Sequence, residues 1–212
     1  MKLVTFTDNA VHIDPHANRQ DTGTGGVLHN GRVYKLSALA QWAQQNNHLT
    51  FQNVPSSVLD FVNLTVVERE TLAEQSHKLE EAGISSVGLE EVRLRAPIEL
   101  PPSVRDFYAF EQHVKTARAN RGLGMIPEWY DFPVFYFSNH RAIYGPEDEI
   151  PYPRESKALD FELEMACVIG RAGRDIPAQQ GSLYIAGYCV MNDWSARDLQ
   201  MEEMKLNMGP VK

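Results

Sequence analysis

The chain has 212 residues, a formal net charge of −8 and a hydrophobic share of 43%, values that suit a globular protein of one large or two small domains. It contains no basic block, which argues against nucleic-acid binding, and no run of about 18 apolar residues that would predict a membrane helix. The N-terminal stretch MKLVTFTDNAVHID lacks the features of a secretory signal. We therefore expect a cytoplasmic protein in which Cys167 and Cys189, each inside an apolar stretch, are buried and reduced.

Residues 1–95 are predicted to form a small N-terminal domain. Alternating apolar residues indicate short strands, and an Asn-Gly pair between two such runs is typical of a tight hairpin. The predicted elements, in chain order, are a strand in KLVTFT, a hairpin that turns at Asn30–Gly31, short helices in SALAQWAQQN and SSVLDFVN, and a longer amphipathic helix from Thr65 to Gly83.

Residues 96–212 are predicted to form the first part of a second domain, which is mostly β after Ile126. A strand gives way to two prolines near the boundary, and Ser103 is predicted to cap the helix that follows. The predicted elements are this helix through SVRDFYAFEQHVKTARAN, strands in VFYFS, LDFELEMACVIG and YIAGYCVMND, and a final helix in SARDLQMEEMK.

The predicted strands are few for a closed sheet, which must hide its edges. We expect the chain to be the N-terminal portion of a longer protein that was cut after Lys212, or to complete its sheet through a dimer.

Two glutamates stand two residues apart on the strand LDFELEMACVIG. Because strand side chains alternate between faces, Glu162 and Glu164 point the same way, with Phe161, Leu163 and Met165 on the other face. Val168 and Ile169 are predicted to continue as a core strand. A half-buried carboxylate pair must either hold a proton or bind a cation, and a hard divalent ion suits such oxygen ligands. The alternative is a solvated outer face on which the glutamates have no role.

Two further stretches carry groups that could do chemistry. In MNDWSARD, Asn192 and Asp193 are predicted to end a strand before a helix, where Asp193 suits a helix cap as well as an oxygen ligand. In RDFYAFEQH, Asp106 and Tyr108 lie near a helix entry, and His113 has the chemistry of a general base. Taken alone, a helical histidine is also an ordinary amphipathic residue.

Together, RDFYAFEQH, LDFELEMACVIGRAGRDI and YIAGYCVMNDWSARDLQ resemble the fumarylacetoacetate hydrolase family, in that order between Arg105 and Gln200. The resemblance implies an α+β fold, in which a small N-terminal α/β module precedes the mixed β-sandwich or β-roll of the fumarylacetoacetase C-terminal-like fold, incomplete in this chain.

The family's site residues carry over onto matching positions of this sequence. The implied ligands of Mg²⁺ or Ca²⁺, with Mn²⁺ as a further option, are Asp106, Glu162, Glu164 and Asp193. His113 matches the histidine that activates water, Tyr108 and Tyr136 match substrate-contacting tyrosines, and Arg197 and Gln200 match polar groups near the substrate oxygens. A further family arginine corresponds to Arg118 or Arg121, and both remain candidates.

The implied activity is a divalent-metal-dependent hydrolysis of a carbon–carbon bond in a 1,3-diketo or acylpyruvate-type acid such as fumarylacetoacetate. We expect a cytoplasmic homodimer that acts in aromatic amino acid catabolism on a small keto acid. The alternatives are a 2-oxo acid decarboxylase, a dienoate isomerase and a non-catalytic metal-binding fragment. Because Lys212 falls too early to match the family's catalytic lysine, we expect the site of this 212-residue piece to be incomplete.

Overall fold

The computed structural model describes residues 1–9 and 23–206, which adopt the predicted α+β architecture. They belong to two compact units, one built from Met1–Glu99 and Tyr144–Lys212 and the other from Leu100–Ile143. The division into domains at residue 95 stays a prediction. Within the described ranges, none of the helices has both the length and the apolar character needed to cross a bilayer.

An antiparallel five-stranded sheet forms the centre of the first unit, with the strand order β4-β3-β2-β1-β5. The predicted hairpin is confirmed, and Asn30 and Gly31 take φ values of 47° and 72°, as a tight hairpin turn requires at both central positions. The strands are β1 (Leu3–Asp8), β2 (Thr24–His29), β3 (Arg32–Lys35), β4 (Ser86–Gly88) and β5 (Val92–Arg95).

Three helices accompany this sheet: α1 (Leu36–Gln45), α2 (Val58–Asn63) and α3 (Val66–Gln75). The prediction that the third helix continues to Gly83 is wrong. The chain turns after Gln75, where the Ser76 hydroxyl donates to the Ala73 carbonyl at 2.7 Å. The turn inserts Leu79 into the hydrophobic core, where the side chain is fully buried, and this packing overrides the helical pattern of the surrounding charged residues.

The second unit contains a two-stranded ribbon of β6 (Val104–Phe107) and β7 (Phe135–Ser138), with helices α4 (Glu111–Ala119) and α5 (Glu128–Asp131). The helix predicted from Ser103 onward is confirmed only in its second part, as α4. Its predicted start and the Ser103 cap are wrong, because the residues that follow Ser103 form β6. Exposure alternates along both strands, which pair in antiparallel register, so the period of two prevails over the helical pattern here.

A second, longer antiparallel ribbon lies in the first unit, formed by β8 (Leu159–Ile169) and β9 (Ile185–Ala196) and followed by helix α6 (Arg197–Met204). The two predicted strands and the final helix are confirmed. The strand β9 runs past Asp193 to Ala196, so the predicted end of this strand at Asn192 and Asp193 is wrong.

The two faces of this long ribbon differ from expectation. The apolar residues next to the glutamates lie on the more exposed face, where Leu163 is 71% exposed, and Ile169 is exposed rather than part of a core. Cys167 is on the same exposed face, which corrects its prediction as a buried thiol, whereas Cys189 is half-buried. Both cysteines are free thiols in the described part of the chain.

Candidate metal centre

Glu162, Glu164 and Asp193 lie on the less exposed face of the β8–β9 ribbon. Glu162 is directly opposite Asp193 in the register, and Glu164 follows two residues later on the same strand, so the pleat turns all three side chains to one face. Each offers one carboxylate oxygen, and these oxygens lie within 4.8 Å of one another. The ribbon therefore brings together three of the four predicted ligands within the first unit.

The chemistry of these three residues suits a hard divalent cation, which takes carboxylate oxygens as ligands. The Glu162 side chain is only 26% exposed, so the solvated outer face considered from the sequence does not describe it. Carboxylates held this close repel one another, and each pays a desolvation cost unless a cation or a hydrogen bond compensates. Part of that compensation comes from a neighbouring arginine.

The Arg197 guanidinium forks between two carboxylates of β8. Its Nη1 donates to Glu162 Oε1 at 2.7 Å and its Nε donates to Asp160 Oδ2 at 3.1 Å. The same Nη1 also donates to the Gln200 amide oxygen at 3.3 Å. Of the two predicted polar residues, Arg197 therefore contacts one predicted ligand, Glu162, and Gln200 contacts Arg197.

These contacts shift the pKa values of the participating groups. The Phe161 backbone N–H and the Arg197 guanidinium both hold the pKa of Asp160 below its usual value. Desolvation alone would lower the pKa of Arg197, but hydrogen bonds to Glu162 and Asp160 outweigh it and raise that pKa. Both shifts favour the ionised partners.

Asp193 is not a helix cap, which corrects that alternative. The residue flanking the start of α6 is Ala196, and the aspartate at the helix entry is Asp198. Asp198 accepts hydrogen bonds from the Ser156 hydroxyl at 2.6 Å and from the Lys157 backbone N–H at 2.7 Å, which lower its pKa. The aspartate at the start of α6 is therefore a different residue from the aspartate of the carboxylate cluster.

The second unit holds the remaining predicted site residues. Asp106 lies on β6 directly opposite Tyr136 on β7, and both are on the less exposed face of their ribbon. The Tyr108 ring meets the exposed His113 ring edge-on, with ring centroids 5.7 Å apart. The Tyr108 hydroxyl is buried and has no hydrogen-bond partner among residues 1–9 and 23–206.

An aromatic cavity of about 310 Å³ adjoins Tyr108 in this unit, and its wall includes Phe107, Trp129 and Phe132. The Trp129 indole N–H donates to the Tyr108 carbonyl at 2.8 Å and so ties the cavity wall to the strand end. Because Tyr108 lines this cavity, the residue is placed to contact a small ligand that has an apolar portion.

The choice between Arg118 and Arg121 stays open. The Arg118 Nε donates to the Gly124 carbonyl and the Arg121 Nε to the Ala117 carbonyl, so both side chains bond to backbone near the end of α4. Lys212, compared above with the family's catalytic lysine, lies outside the described residues.

Asp160 is the site neighbour that the sequence reasoning missed. It stands two residues before Glu162, so the period of two along β8 places both on one face, and this spacing was the available signal. The partner that binds Asp160, Arg197, follows it by 37 residues and reaches it only through the pairing of β8 with β9.

Known proteins resemble this chain over nearly its whole length or over about a third of it. Fumarylacetoacetate hydrolase domain-containing protein 2 homolog of Dictyostelium discoideum is 26% identical over 203 residues, which cover 96% of this chain and 57% of that protein. Oxaloacetate tautomerase Fahd2a, mitochondrial, of Rattus norvegicus is 45% identical over 73 residues, or 34% of this chain and 23% of that protein.

Among solved structures, maleylpyruvate hydrolase from Sphingobium sp. SYK-6, in complex with manganese(II) and pyruvate, aligns with a TM-score of 0.57 at 17% identity. The alignment covers 93% of this chain and 60% of that one, and at this identity it establishes the fold alone. This chain spans little more than half the length of the Dictyostelium relative and of this solved structure.

A family model gives the assignment. Residues 103–212, slightly more than half of the chain, match the model described as fumarylacetoacetate (FAA) hydrolase C-terminal. That range contains every carboxylate of the candidate centre and both arginine and glutamine partners. The chain belongs to the fumarylacetoacetate hydrolase family.

Proposed function

We propose that Glu162, Glu164 and Asp193 bind a divalent cation, and that Asp106 supplies a fourth carboxylate. The support is the approach of three carboxylate oxygens to within 4.8 Å on one face of the ribbon. Mg²⁺ and Ca²⁺ are the ions that best match an all-oxygen ligand set, and Mn²⁺ is a further candidate because the maleylpyruvate hydrolase structure contains manganese.

We propose that the protein containing this chain hydrolyses a carbon–carbon bond in a 1,3-diketo or acylpyruvate-type acid. The observation that carries this proposal is the carboxylate cluster in a chain of the fumarylacetoacetate hydrolase family. A divalent ion bound there would hold two neighbouring substrate oxygens and polarise a carbonyl group. A 1,3-diketo or acylpyruvate-type acid has neighbouring oxygens that could bind one ion together.

Three side chains have separate roles in the proposed hydrolysis. His113 takes a proton from water, whose oxygen attacks the substrate carbonyl carbon. The bond between that carbon and its neighbour breaks, and the electron pair leaves on an enolate that later takes up a proton. Arg197 and Gln200 donate hydrogen bonds to the oxygen on which negative charge develops, and such donors are worth most where water is excluded.

Tyr108 and Tyr136 are proposed to contact the substrate. The aromatic cavity of about 310 Å³ that Tyr108 lines supports a contact with a small acid that has an apolar portion. The position of Tyr136 opposite Asp106 supports a contact close to a ligand carboxylate.

The second candidate is a keto–enol tautomerisation or a double-bond isomerisation. The match to oxaloacetate tautomerase Fahd2a favours it, since a tautomerase needs proton transfer without attack by water. Decarboxylation of a 2-oxo acid uses the same donor set. A non-catalytic metal-binding role would need the carboxylate cluster but not His113.

We propose a cytoplasmic homodimer for the protein that contains this chain, with a small keto acid as its substrate and a place in aromatic amino acid catabolism. The family assignment supports a small-molecule substrate. Cross-linking of purified protein tests the dimer, and cell fractionation tests the compartment.

The reaction is tested by a metal-dependent screen of acylpyruvates, 1,3-diketones and oxaloacetate with the protein that contains this chain. Hydrolysis predicts loss of the enol absorbance together with two carboxylic or keto products in the presence of Mg²⁺ or Mn²⁺. Tautomerisation predicts an absorbance change with no change in mass. Activity that is equal with and without a chelator would contradict the proposal.

A further inference from the structure

We infer that Asp160 is a positioning residue that fixes the Arg197 guanidinium beside Glu162 and Gln200. This inference rests on the proposed divalent-cation site and extends it to a residue outside the ligand set. Asp160 is more exposed than Glu162, so its role is not explained by core packing.

The Arg197 guanidinium donates hydrogen bonds to two carboxylates on one strand. Asp160 and Glu162 are two residues apart on β8, so their side chains stand on the same face, and Arg197 bonds to both through different nitrogens. The planar fork of an arginine has fixed donor directions, so anchoring its Nε restricts where its Nη1 points. Asp160 thereby sets the approach of Nη1 to Glu162.

For Glu162, this arrangement fixes the orientation of the carboxylate through one of its oxygens. The Oε1 atom accepts from Arg197 at 2.7 Å. Hydrogen bonds from outside the ligand set orient ligand carboxylates, and such outer partners tune metal affinity. Arg197 also supplies positive charge where three carboxylates repel one another.

For Gln200, the contact determines which end of the amide is bound. An arginine side chain has only donors, so the Gln200 atom that faces Nη1 at 3.3 Å must be the amide oxygen. The amide N–H₂ group is then the end left to donate hydrogen bonds elsewhere. By positioning Arg197, Asp160 therefore also fixes which end of the Gln200 amide accepts a hydrogen bond and which end remains to donate.

A double-mutant cycle measured by Mn²⁺ affinity tests the inference. The variants are Asp160→Asn, Arg197→Lys and the double variant, each titrated with Mn²⁺ in a calorimeter and melted to check folding. Asp160→Asn keeps the shape of the side chain and removes its charge, whereas Arg197→Lys keeps the charge and removes the fork. Glu202→Gln, which loses an exposed carboxylate that pairs with Lys205, is the matched control.

We expect Asp160→Asn and Arg197→Lys each to weaken Mn²⁺ binding about 10-fold, with melting temperatures and the Glu202→Gln affinity close to wild type. In the Arg197→Lys background, Asp160→Asn should change the affinity less than about twofold, because its effect passes through the fork. Fully additive losses would overturn the inference and leave the proposed metal site intact. Absence of Mn²⁺ binding by the wild-type chain would overturn both.

Discussion

Glu162 on β8 lies directly opposite Asp193 on β9, with both carboxylates on the same face of the ribbon. Like charges at directly opposed positions destabilise an antiparallel pair, so a strand pairing of this kind persists only with compensation. Arg197 provides one compensating charge at 2.7 Å from Glu162, and a bound cation would provide another. The strand register therefore creates carboxylate repulsion at the proposed metal site, where a bound cation would relieve it.

Replacement of His113 separates catalysis from metal binding. His113→Ala should lower the rate of hydrolysis by about 100-fold or more, because a positioned general base contributes roughly that factor. Mn²⁺ affinity should stay unchanged, since the ring is not among the proposed ligands. The measurement is kcat together with a calorimetric titration of the same preparation.

A neighbouring helix position offers the control for that experiment. Gln112→Ala removes an exposed polar side chain from the same turn of α4 and should leave the rate within about twofold of wild type. A loss of metal affinity in His113→Ala would identify the histidine as a ligand and contradict the assignment of His113 as the base.

The ion pairs of the half-buried Asp148 with Arg93 and Arg95 predict that the stability depends on pH in the acid range. Burial would raise the pKa of Asp148, but the Gly145 backbone N–H and the Arg93 and Arg95 guanidinium groups outweigh it and lower that pKa. A lowered folded-state pKa means that the stabilisation is complete above about pH 4, where unfolded aspartate is ionised, and is lost as the pH falls through the folded-state value.

Asp148→Asn should therefore lower the free energy of unfolding by about 2 kcal/mol at pH 7, since hydrogen bonds to a charged group are lost. The difference between variant and wild type should shrink as the pH falls below about 4 in urea unfolding. Asp175→Asn is a suitable control, because that side chain is 88% exposed and asparagine tolerates its φ of 53°. A difference that is constant with pH would contradict the pKa assignment.

Leu79 tests the reason for the early end of α3. Leu79→Ala should lower the free energy of unfolding by about 2–5 kcal/mol, the usual cost of removing a fully buried leucine. Val67→Ala on α3, at a position that is 67% exposed, should change it by less than about 0.5 kcal/mol. Equal effects of both substitutions in urea unfolding would show that Leu79 is not a core residue.

The outer face of the β8–β9 ribbon should bind apolar dyes. Leu163 and Val190 are 71% and 78% exposed, and clustered apolar side chains of this kind bind the dye ANS. Leu163→Thr combined with Val190→Thr keeps strand-forming residues and should lower ANS fluorescence clearly. Val67→Thr, an exposed valine on a helix, should leave it unchanged. Unchanged fluorescence in the double variant would place the dye site elsewhere.

Local sequence patterns predicted most of the fold. The Asn30–Gly31 turn and the alternation along β8 and β9 are determined by residues close together in the chain, and those predictions are confirmed. The predicted end of one helix at Gly83 and the predicted start of another at Ser103 are wrong, because distant contacts determine both boundaries. Leu79 packs in the core, and β6 pairs with β7, a strand about 30 residues later in the chain.

The candidate site divides in the same way. The Glu162 and Glu164 pair could be read from strand periodicity, and the family resemblance pointed to Asp193. The aspartate at the helix entry is Asp198 and not Asp193, because β9 continues to Ala196. The polar residues Asn192 and Asp193 wrongly indicated an earlier end of this strand. The contact between Asp160 and Arg197 follows from the strand register, which sequence alone does not fix.

The most direct test of the proposed metal centre is a calorimetric titration of the 212-residue chain with Mn²⁺, comparing wild type with Glu164→Gln and with the control Glu202→Gln. We predict saturable binding of one ion by wild type and by the control, and affinity that is weaker by about 100-fold or more in Glu164→Gln, which loses a ligand charge while keeping its shape. Equal Mn²⁺ affinity in Glu164→Gln and wild type would contradict the assignment of this carboxylate cluster as a metal site.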